Sequence, residues 1–386
     1  MKKAAADRDA VRCWVGVERS RRVPEIVSRE EVIEALRPVN DPEIGRSLVE
    51  LGMIKDVTIE GSQVTVHVEL TTPACPLRHT IDGDVKAAVM TLPGVTDVGL
   101  KFSARVRSSG TGLPDKQPLP GVKNTIAVAS GKGGVGKSTV AVNIAISLAQ
   151  DGATIGLLDA DVYGPSIPMM MGNSNKPQLN QNRIVPLEAY GVKLMSVGFL
   201  LDPSRALIWR GPLVSQLVGR FLNEVEWGEL DYLVIDLPPG TGDVQLTLVQ
   251  SIPLSGAIIV TTPQDVALAD AVKGLAMFQE VKTTVLGIVE NMSYFICPGC
   301  GQRSDIFGNG GGERTATRHG VPLLGQIPLV SAIRQGGDIG YPIIVSEPAS
   351  PSAEAFRDAA RQAAARLSVE AIRKPRRPRI MLRQTS

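Results

Sequence analysis

The stretch Ser130-Gly131-Lys132-Gly133-Gly134-Val135-Gly136-Lys137-Ser138-Thr139 decides the fold of this chain. An apolar run of β type precedes it, and after it Val140, Ile144, Ile146 and Leu148 are predicted to fall on one side of a helix. Gly131, Gly136, Lys137 and Ser138 have the spacing of a P-loop, whose backbone N–H groups close around phosphate oxygens. In that motif Lys137 pairs with the β- and γ-phosphates and Ser138 offers a hydroxyl to Mg²⁺. We therefore expect Gly131 to Thr139 to bind a nucleotide.

Short apolar runs alternate with helical patterns from Val122 to about Leu367. Such runs, flanked by turns and without polar alternation, are typical of a parallel sheet that is buried on both faces. They occur at Thr125 to Ala129, Thr154 to Leu158, Lys193 to Val197, Tyr232 to Ile235, Ala257 to Val260, Val285 to Val289 and Leu323 to Ile327. The prediction is an α/β domain over 122–368 with a doubly wound, mostly parallel sheet, ending in a helix from Ser352 to Leu367.

A smaller domain is predicted in front of it, over 25–107, with the element order α-β-β-α-β. Ser28 and Glu31 form a capping box that opens a helix closed before Pro38, and the alternation from Val64 to Leu70 predicts the second strand of a hairpin. Residues 108–121, rich in proline and glycine, are interpreted as a linker with nothing to pack. Residues 1–24 and the basic stretch 369–386 are expected to be disordered. The alternative for the basic stretch is contact with a nucleic acid or an anionic surface.

Composition limits the classes of function. The 386 residues carry 41 Lys+Arg against 39 Asp+Glu, a net charge of +2 that gives no global nucleic-acid footprint. Four cysteines do not make a disulfide framework in a chain of this length. The start of the sequence has no apolar leader segment, and no run reaches the ~18 apolar residues of a membrane span. We expect a cytoplasmic protein without membrane or nucleic-acid partners.

Acidic residues stand at the ends of two predicted strands, where the ligands of such a sheet collect. Asp159 and Asp161 follow one strand, and Asp236 opens Asp-Leu-Pro-Pro-Gly-Thr-Gly-Asp after another. An Asp at the tip of a buried strand is costly unless it is paired, and Mg²⁺ with its waters would satisfy it. Asp236 is therefore interpreted as the Walker B residue that holds Mg²⁺ with Ser138. The alternative for each Asp is a helix cap.

Two cysteines, Cys297 and Cys300, are separated by Pro-Gly in a glycine-rich loop after the sixth strand. Two thiolates at this spacing can grip one side of a metal or cluster, but a closed site needs four ligands. Cys13 and Cys75 lie in other parts of the chain. A symmetric dimer would bring two such loops together and supply four thiolates to one 4Fe-4S cluster or one Zn²⁺.

Taken together, these motifs resemble those of the Mrp-type iron-sulfur cluster carrier ATPases. Lys132 makes the loop similar to the deviant Walker A of ParA/MinD-like ATPases, and the Asp159–Ser166 stretch, the Asp236–Asp243 stretch and Cys-Pro-Gly-Cys complete the match. The resemblance covers residues 25–367, since the front domain with Thr-Thr-Pro-Ala-Cys-Pro is similar to a small iron-sulfur assembly domain.

This resemblance implies ATP binding with slow hydrolysis and a homodimer in which Lys132 reaches the partner's nucleotide. It assigns the attacking water to Asp161, support near Mg²⁺ to Asp159, γ-phosphate sensing to the Gly240 backbone and adenine contact to Asn291. It further implies a labile 4Fe-4S cluster held by Cys297 and Cys300 and delivered to apo-proteins.

Other functions remain open on the residues alone. They are a ParA/MinD-like positioning ATPase on DNA or membrane, a zinc-bridged dimeric P-loop switch, and a reductase-type ATPase that keeps its cluster. A positioning ATPase would have no use for Cys297 and Cys300, and prolines interrupt the basic tail where its amphipathic helix is expected. Cys75 is equally compatible with core packing and with a reactive thiol.

Overall fold

A computed structural model describes residues 27–110, 118–200 and 211–373 of the chain. The predicted extension 1–24, Cys13 and the basic tail beyond Arg373 lie outside the described residues. No helix in the described ranges is both long enough and apolar enough to cross a bilayer.

The front domain has the predicted element order. Its elements are α1 (Arg29–Leu36), β1 (Ile54–Glu60), β2 (Gln63–Leu70), α2 (Arg78–Val89) and β3 (Asp97–Ala104). Ser28 and Glu31 form the reciprocal capping box at the start of α1. The sheet has the order β1-β2-β3, with β2 antiparallel to β1 and parallel to β3. Both helices bury apolar residues against it, giving this domain its own core.

The second domain is built on an eight-stranded sheet. Its strands and short hairpin strands are β4 (Val122–Ser130), β5 (Ile155–Asp159), β6 (Leu179–Asn180), β7 (Arg183–Ile184), β8 (Leu187–Ala189), β9 (Val192–Ser196), β10 (Leu230–Asp236), β11 (Gly256–Thr261), β12 (Val285–Glu290), β13 (Phe295–Ile296), β14 (Arg303–Ser304) and β15 (Leu323–Gln326). The sheet order is β15-β12-β11-β4-β10-β5-β9-β8. All pairs are parallel except β8 with β9 at one edge, so the predicted doubly wound α/β class is confirmed.

Helices cover the sheet between its strands. They are α3 (Lys137–Gln150), α4 (Ile167–Met170), α5 (Gly211–Glu224), α6 (Asp243–Ser251), α7 (Asp265–Glu280), α8 (Gly311–His319), α9 (Ser331–Ile339), α10 (Ile343–Ser346) and α11 (Pro351–Arg373). The prediction of a one-sided apolar face on α3 is wrong: Val140 to Leu148 are all buried. The contacts of α3 with the sheet, α4, α10 and α11 explain this burial on all sides.

The helix predicted to end at Leu367 continues to Arg373, so residues 369–373 are helical and not disordered as predicted. Its last turns lie at the junction of the two domains, where Ile372 packs against the core of the front domain. The Ser368 hydroxyl lies 3.5 Å from the carbonyl oxygen of Thr71, and the Tyr232 hydroxyl donates to Oγ1 of Thr72 at 3.2 Å. Tyr232 lies near the amino end of β10. The front domain therefore docks at the amino ends of the parallel strands, on the side of the sheet away from their carboxyl ends.

The linker prediction needs a correction at the residues that the structure describes. Ser109 is buried and donates from its backbone N–H and its hydroxyl to the Asn124 side chain, at 2.9 and 2.8 Å. Leu119 is buried in the core of the second domain. The segment therefore packs on both sides of residues 111–117, because β4 offers it a hydrogen-bonding partner that composition does not show.

Candidate functional site

The phosphate-binding loop connects the end of β4 to the start of α3. Gly134 and Gly136 have φ values of 81° and 82°, in the left-handed region that strongly favours glycine. A Cβ atom at Gly136 would lie 2.1 Å from the side-chain nitrogen of Asn291, and one at Gly131 would lie 2.3 Å from the backbone of Asp270. The loop therefore needs glycine both for its backbone conformation and for close approach to its neighbours.

Lys137 lies among buried carboxylates. Its Nζ is 2.6 Å from Oδ1 of Asp236 and 3.5 Å from Oδ2 of Asp161. Burial by itself lowers the pKa of Lys137, but the charges of Asp236 and Asp161 outweigh it and the pKa is raised. Lys137 is thus held protonated, and its positive charge is available to phosphate oxygens in place of these carboxylates.

Asp159 is fully buried at the end of β5, next to Asp236 at the end of β10. It accepts hydrogen bonds from the Ser196 hydroxyl at 2.9 Å, the Asp161 backbone N–H at 3.1 Å and the Ile167 backbone N–H at 3.3 Å. Burial, reinforced by the charge of Asp236, raises the pKa of Asp159 to about 8. Burial also raises the pKa of Asp236, against the opposing effect of Lys137. The raised pKa values mean that two carboxylates this close and this deeply buried disfavour each other's charge, so a cation bound beside them would stabilise both.

The oxygen atoms expected to hold Mg²⁺ lie together. The Ser138 hydroxyl donates to Oδ2 of Asp236 at 2.5 Å, and Asp236 is fully buried. Hydroxyl and carboxylate oxygens are the ligands that Mg²⁺ prefers, and a buried carboxylate is costly without a cation beside it. Ser138 and Asp236 therefore fit the ion that the motif implies, which would neutralise charge on the phosphates when bound.

The other residues assigned to the nucleotide lie around this loop. Asn291 is buried and donates from Nδ2 to the carbonyl oxygen of Val135 at 2.9 Å, so it contacts the loop itself. The Gly240 backbone N–H donates to the Ser130 carbonyl at 2.9 Å, and Gly240 has a φ of 102°. Lys132 is half-buried and forms no ion pair with any described residue. Its amino group is thus free of the carboxylates that hold Lys137.

Cys297 and Cys300 lie on a short antiparallel hairpin. Phe295 pairs with Ser304 and Ile296 with Arg303, and the guanidinium of Arg303 lies 4.2 Å from the ring centre of Tyr294. Cys297 is half-buried and Cys300 is exposed. The Cys300 backbone N–H, the Gly299 backbone N–H and the Cys300 side chain together lower the pKa of Cys297. No cluster of three or more Cys, His, Asp or Glu with metal-binding geometry occurs within residues 27–110, 118–200 and 211–373.

Comparison with known proteins identifies the family. Residues 121–364 match the family described as NUBPL iron-transfer P-loop NTPase, and residues 29–100 match the family of iron-sulfur cluster assembly proteins. The chain belongs to the iron-transfer P-loop NTPases. This confirms the family suggested by the motifs, and with it a nucleotide-binding site with ATP hydrolysis.

Relatives of this family share most of their length with the chain. The chain is 53% identical to the iron-sulfur cluster carrier protein of Synechocystis over 90% of its own length and 100% of that protein. It is 45% identical to the Escherichia coli K12 protein of the same description, over 78% of this chain and 83% of that one. A nucleotide-binding protein from Archaeoglobus fulgidus, solved with ADP, has 42% identity and a TM-score of 0.55, covering 61% of this chain and 92% of that one.

Sequence reasoning missed two buried residues, one beside the carboxylates of the nucleotide site and one at the start of the segment that carries the cysteine hairpin. Ser196 ends β9 and donates to Asp159. Glu290 ends β12, is fully buried, and accepts three hydrogen bonds near the cysteine hairpin. Glu290 could have been found, because a charged residue at the tip of an apolar strand is the signal that selects Asp159 and Asp236. Ser196 carries no comparable signal, since a serine after a strand is common turn chemistry.

Replacing Gly136 with Ala should destabilise the nucleotide-free protein by about 1–3 kcal/mol, since alanine is strained at this φ and its methyl group overlaps Asn291. Urea unfolding measures the change. Gly133→Ala is the matched control, because a Cβ there meets no atom within 4 Å and the φ is not positive. It should shift stability by less than about 1 kcal/mol. Equal losses in both variants would contradict the role given to the Asn291 contact.

Proposed function

We propose that this chain is an ATP-dependent carrier that holds a labile 4Fe-4S cluster across a homodimer and transfers it to apo-proteins. The observation that carries the proposal is the hairpin that presents Cys297 and Cys300, one half-buried and one exposed, at its tip. Thiols placed in this way are accessible to a cluster and to a recipient protein. A cluster for delivery has to be reached from outside, whereas a permanent structural metal is usually enclosed.

Two chains are needed because one chain supplies two thiolates and a 4Fe-4S cluster takes four. A twofold axis beside the hairpin would place the same pair from a second copy opposite the first. The free amino group of Lys132 supports the same arrangement, since it lies on the phosphate-binding loop without a carboxylate partner in the described part of the chain. Names of relatives that specify iron-sulfur cluster carrier or transfer proteins support the cargo.

The nucleotide chemistry follows from the carboxylate cluster. Lys137 is charged and exchanges Asp236 and Asp161 for the β- and γ-phosphates when ATP enters. Asp161, only 7% exposed, is released by Lys137 and then orients the attacking water. Asp159 accepts from the Asp161 backbone N–H and from the Ser196 hydroxyl, and so supports the site near Mg²⁺. The Gly240 backbone N–H exchanges its bond to the Ser130 carbonyl for one to the γ-phosphate. Hydrolysis removes that contact and so changes the state of the loop after β10.

Anaerobic reconstitution tests the cargo. The full chain, treated with ferrous iron, sulfide and thiol reductant, should bind about four irons per two chains and show broad visible absorption. The complex should elute as a dimer, and an apo iron-sulfur protein should gain activity when mixed with it. Iron, sulfide and zinc contents are measured on the same sample.

Two results would contradict the proposal. One is a purified protein that contains only zinc and takes up no iron, which would indicate a zinc-bridged switch. The other is a cluster that forms but stays on the dimer in the presence of ATP and a recipient, which would indicate electron transfer. A chelator competition with the recipient absent is the control for simple loss of the cluster.

A further inference from the structure

The segment that carries the cysteine hairpin starts at the nucleotide site. Asn291, which donates to the Val135 carbonyl of the phosphate-binding loop, precedes Cys297 by six residues. Six residues of chain span at most about 20 Å, so the two sites are joined by a short tether. Met292, the second residue of this tether, has a φ of 54°, a conformation that an unbranched non-glycine residue adopts only when its surroundings impose it.

Glu290 holds both ends of this segment. At the entry, its Oε1 accepts from the Ser293 hydroxyl at 2.6 Å and from Nε2 of Gln326 at 3.0 Å. At the exit, its Oε2 accepts from the backbone N–H of Gly312 at 2.5 Å, in the first turn of α8. The carboxylate thus closes a loop whose two ends are 22 residues apart in sequence and whose tip carries both cysteines.

This arrangement is unusual because the carboxylate is fully buried and forms no ion pair with a described lysine or arginine. Three donors and the positive end of α8 compensate for its burial. Gly312 also has no room for a side chain, since a Cβ there would lie 2.8 Å from Oε2 of Glu290. A neutral amide at position 290 would have the right shape, but its nitrogen could not accept from the N–H groups or hydroxyl that face it.

Backbone bonds extend the same connection. The Asn291 N–H donates to the Thr261 carbonyl at 2.8 Å, and the Ser293 N–H donates to the Ile327 carbonyl at 2.9 Å. The Leu329 N–H donates to the Tyr294 carbonyl at 2.7 Å. The tether is therefore bonded to the end of β11 and to the segment that follows β15, and the contact between Asn291 and Val135 links it directly to the phosphate-binding loop.

We propose that Glu290 is a positioning residue that couples the nucleotide site to the cysteine hairpin, by clamping both ends of the segment that carries the hairpin to the strand that leads into Asn291. A change in the phosphate-binding loop displaces Asn291, and the clamp passes that displacement to Cys297 and Cys300 as a unit. Without the clamp the hairpin moves independently of the nucleotide. This inference rests on the proposed function, since it assigns a purpose to the coupling.

The reactivity of the two thiols tests the clamp in metal-free protein. In a full chain with Cys13→Ser and Cys75→Ser, the rate of reaction with an aromatic disulfide reports Cys297 and Cys300 alone. A non-hydrolysable ATP analogue with Mg²⁺ should change this rate by about fivefold or more, the size of an ordinary coupling between two sites. Glu290→Gln should reduce the change to less than about twofold while the dissociation constant of the analogue stays within about twofold of wild type.

Glu313→Gln is the matched control, because it removes one negative charge at the start of α8, the helix that Glu290 contacts through Gly312, but at an exposed position. It should keep the full nucleotide effect. Ser293→Ala, which removes one bond of the clamp and little volume, should give an intermediate effect and decides the matter if Glu290→Gln does not fold.

Three results would overturn the inference. They are a nucleotide effect in both Glu290→Gln and Ser293→Ala equal to that in Glu313→Gln, no nucleotide effect in the parent protein, or a loss of analogue binding in both clamp variants. Because no cluster is present, failure of the chain to take up iron would contradict the carrier function and leave this measurement valid.

Discussion

Cys297→Ala and Cys300→Ala should each lower the iron bound after anaerobic reconstitution from about four per dimer to less than about one. Each substitution leaves one thiolate per chain and hence two per dimer, which is half of the ligand set. The visible absorption of the cluster should disappear with the iron. Iron and sulfide analysis, with absorption spectra taken before exposure to air, provides the measurement.

The free energy of unfolding distinguishes a variant that has lost a cluster ligand from one that has lost its folded structure. Cys300 is exposed and Cys297 half-buried on a hairpin tip, so either substitution should change the free energy of unfolding by less than about 0.5 kcal/mol. Cys75→Ala is the matched control. The loop of Cys75 docks near Tyr232 at the amino end of β10. The nucleotide site and the hairpin lie at the carboxyl ends of the strands instead. Iron content reduced as strongly by Cys75→Ala would contradict the assignment of the cluster to the hairpin.

Lys137→Ala should reduce ATP hydrolysis by about 10²-fold or more, because the charge that stabilises the developing phosphate charge is removed. The same variant should load a cluster, since the hairpin does not contact Lys137, but it should not deliver that cluster in an ATP-dependent way. Phosphate release and activation of an apo-protein measure the two effects. Delivery at the wild-type rate would show that hydrolysis is not coupled to transfer.

Lys137→Ala should also destabilise the nucleotide-free protein, by roughly 3 kcal/mol at neutral pH, because Asp236 is left buried without its cation. The pKa of Asp236 in the folded state is already raised by burial and would rise further, whereas in the unfolded state it is ordinary. The folded variant then binds more protons than the unfolded one, so its stability falls as pH rises above the ordinary carboxyl range. The deficit should therefore shrink in acid.

Lys132→Ala is the control for this effect. Lys132 belongs to the same loop but has no carboxylate partner in the described residues, so its loss should change stability by less than about 0.5 kcal/mol. A deficit of equal size in both lysine variants would show that the ion pair with Asp236 is not its cause.

The sequence was informative wherever a local pattern has one physical solution. All seven predicted parallel strands are present, because short apolar runs between turns can be satisfied only inside a sheet covered on both faces. The phosphate-binding loop needs glycine at Gly136 for its backbone conformation, and its motif can be recognised without any tertiary information. The acidic residues at strand ends were found by the same reasoning, since a buried carboxylate requires a partner.

The predictions failed where burial depends on distant segments. The one-sided pattern expected for α3 disappears because α11, far along the chain, covers the side that a surface helix would expose to water. The helix α11 continues to Arg373, beyond its predicted end at Leu367, because Ile372 in its last turn packs against the core of the front domain. The buried contacts of Ser109 and Leu119 depend likewise on partners that composition does not reveal.

The residues and their spacing were enough to identify the family, the nucleotide motif and a cysteine pair that needs a second chain to complete a four-thiolate site. The folded chain was needed to show which partners the buried charged groups have. Lys137 lies beside Asp236 and Asp161, and Glu290 bonds both ends of the hairpin segment. The physical reason is that a parallel sheet gathers strand ends from distant parts of the chain at one edge. Strand order, which no local pattern encodes, sets which of those ends are neighbours.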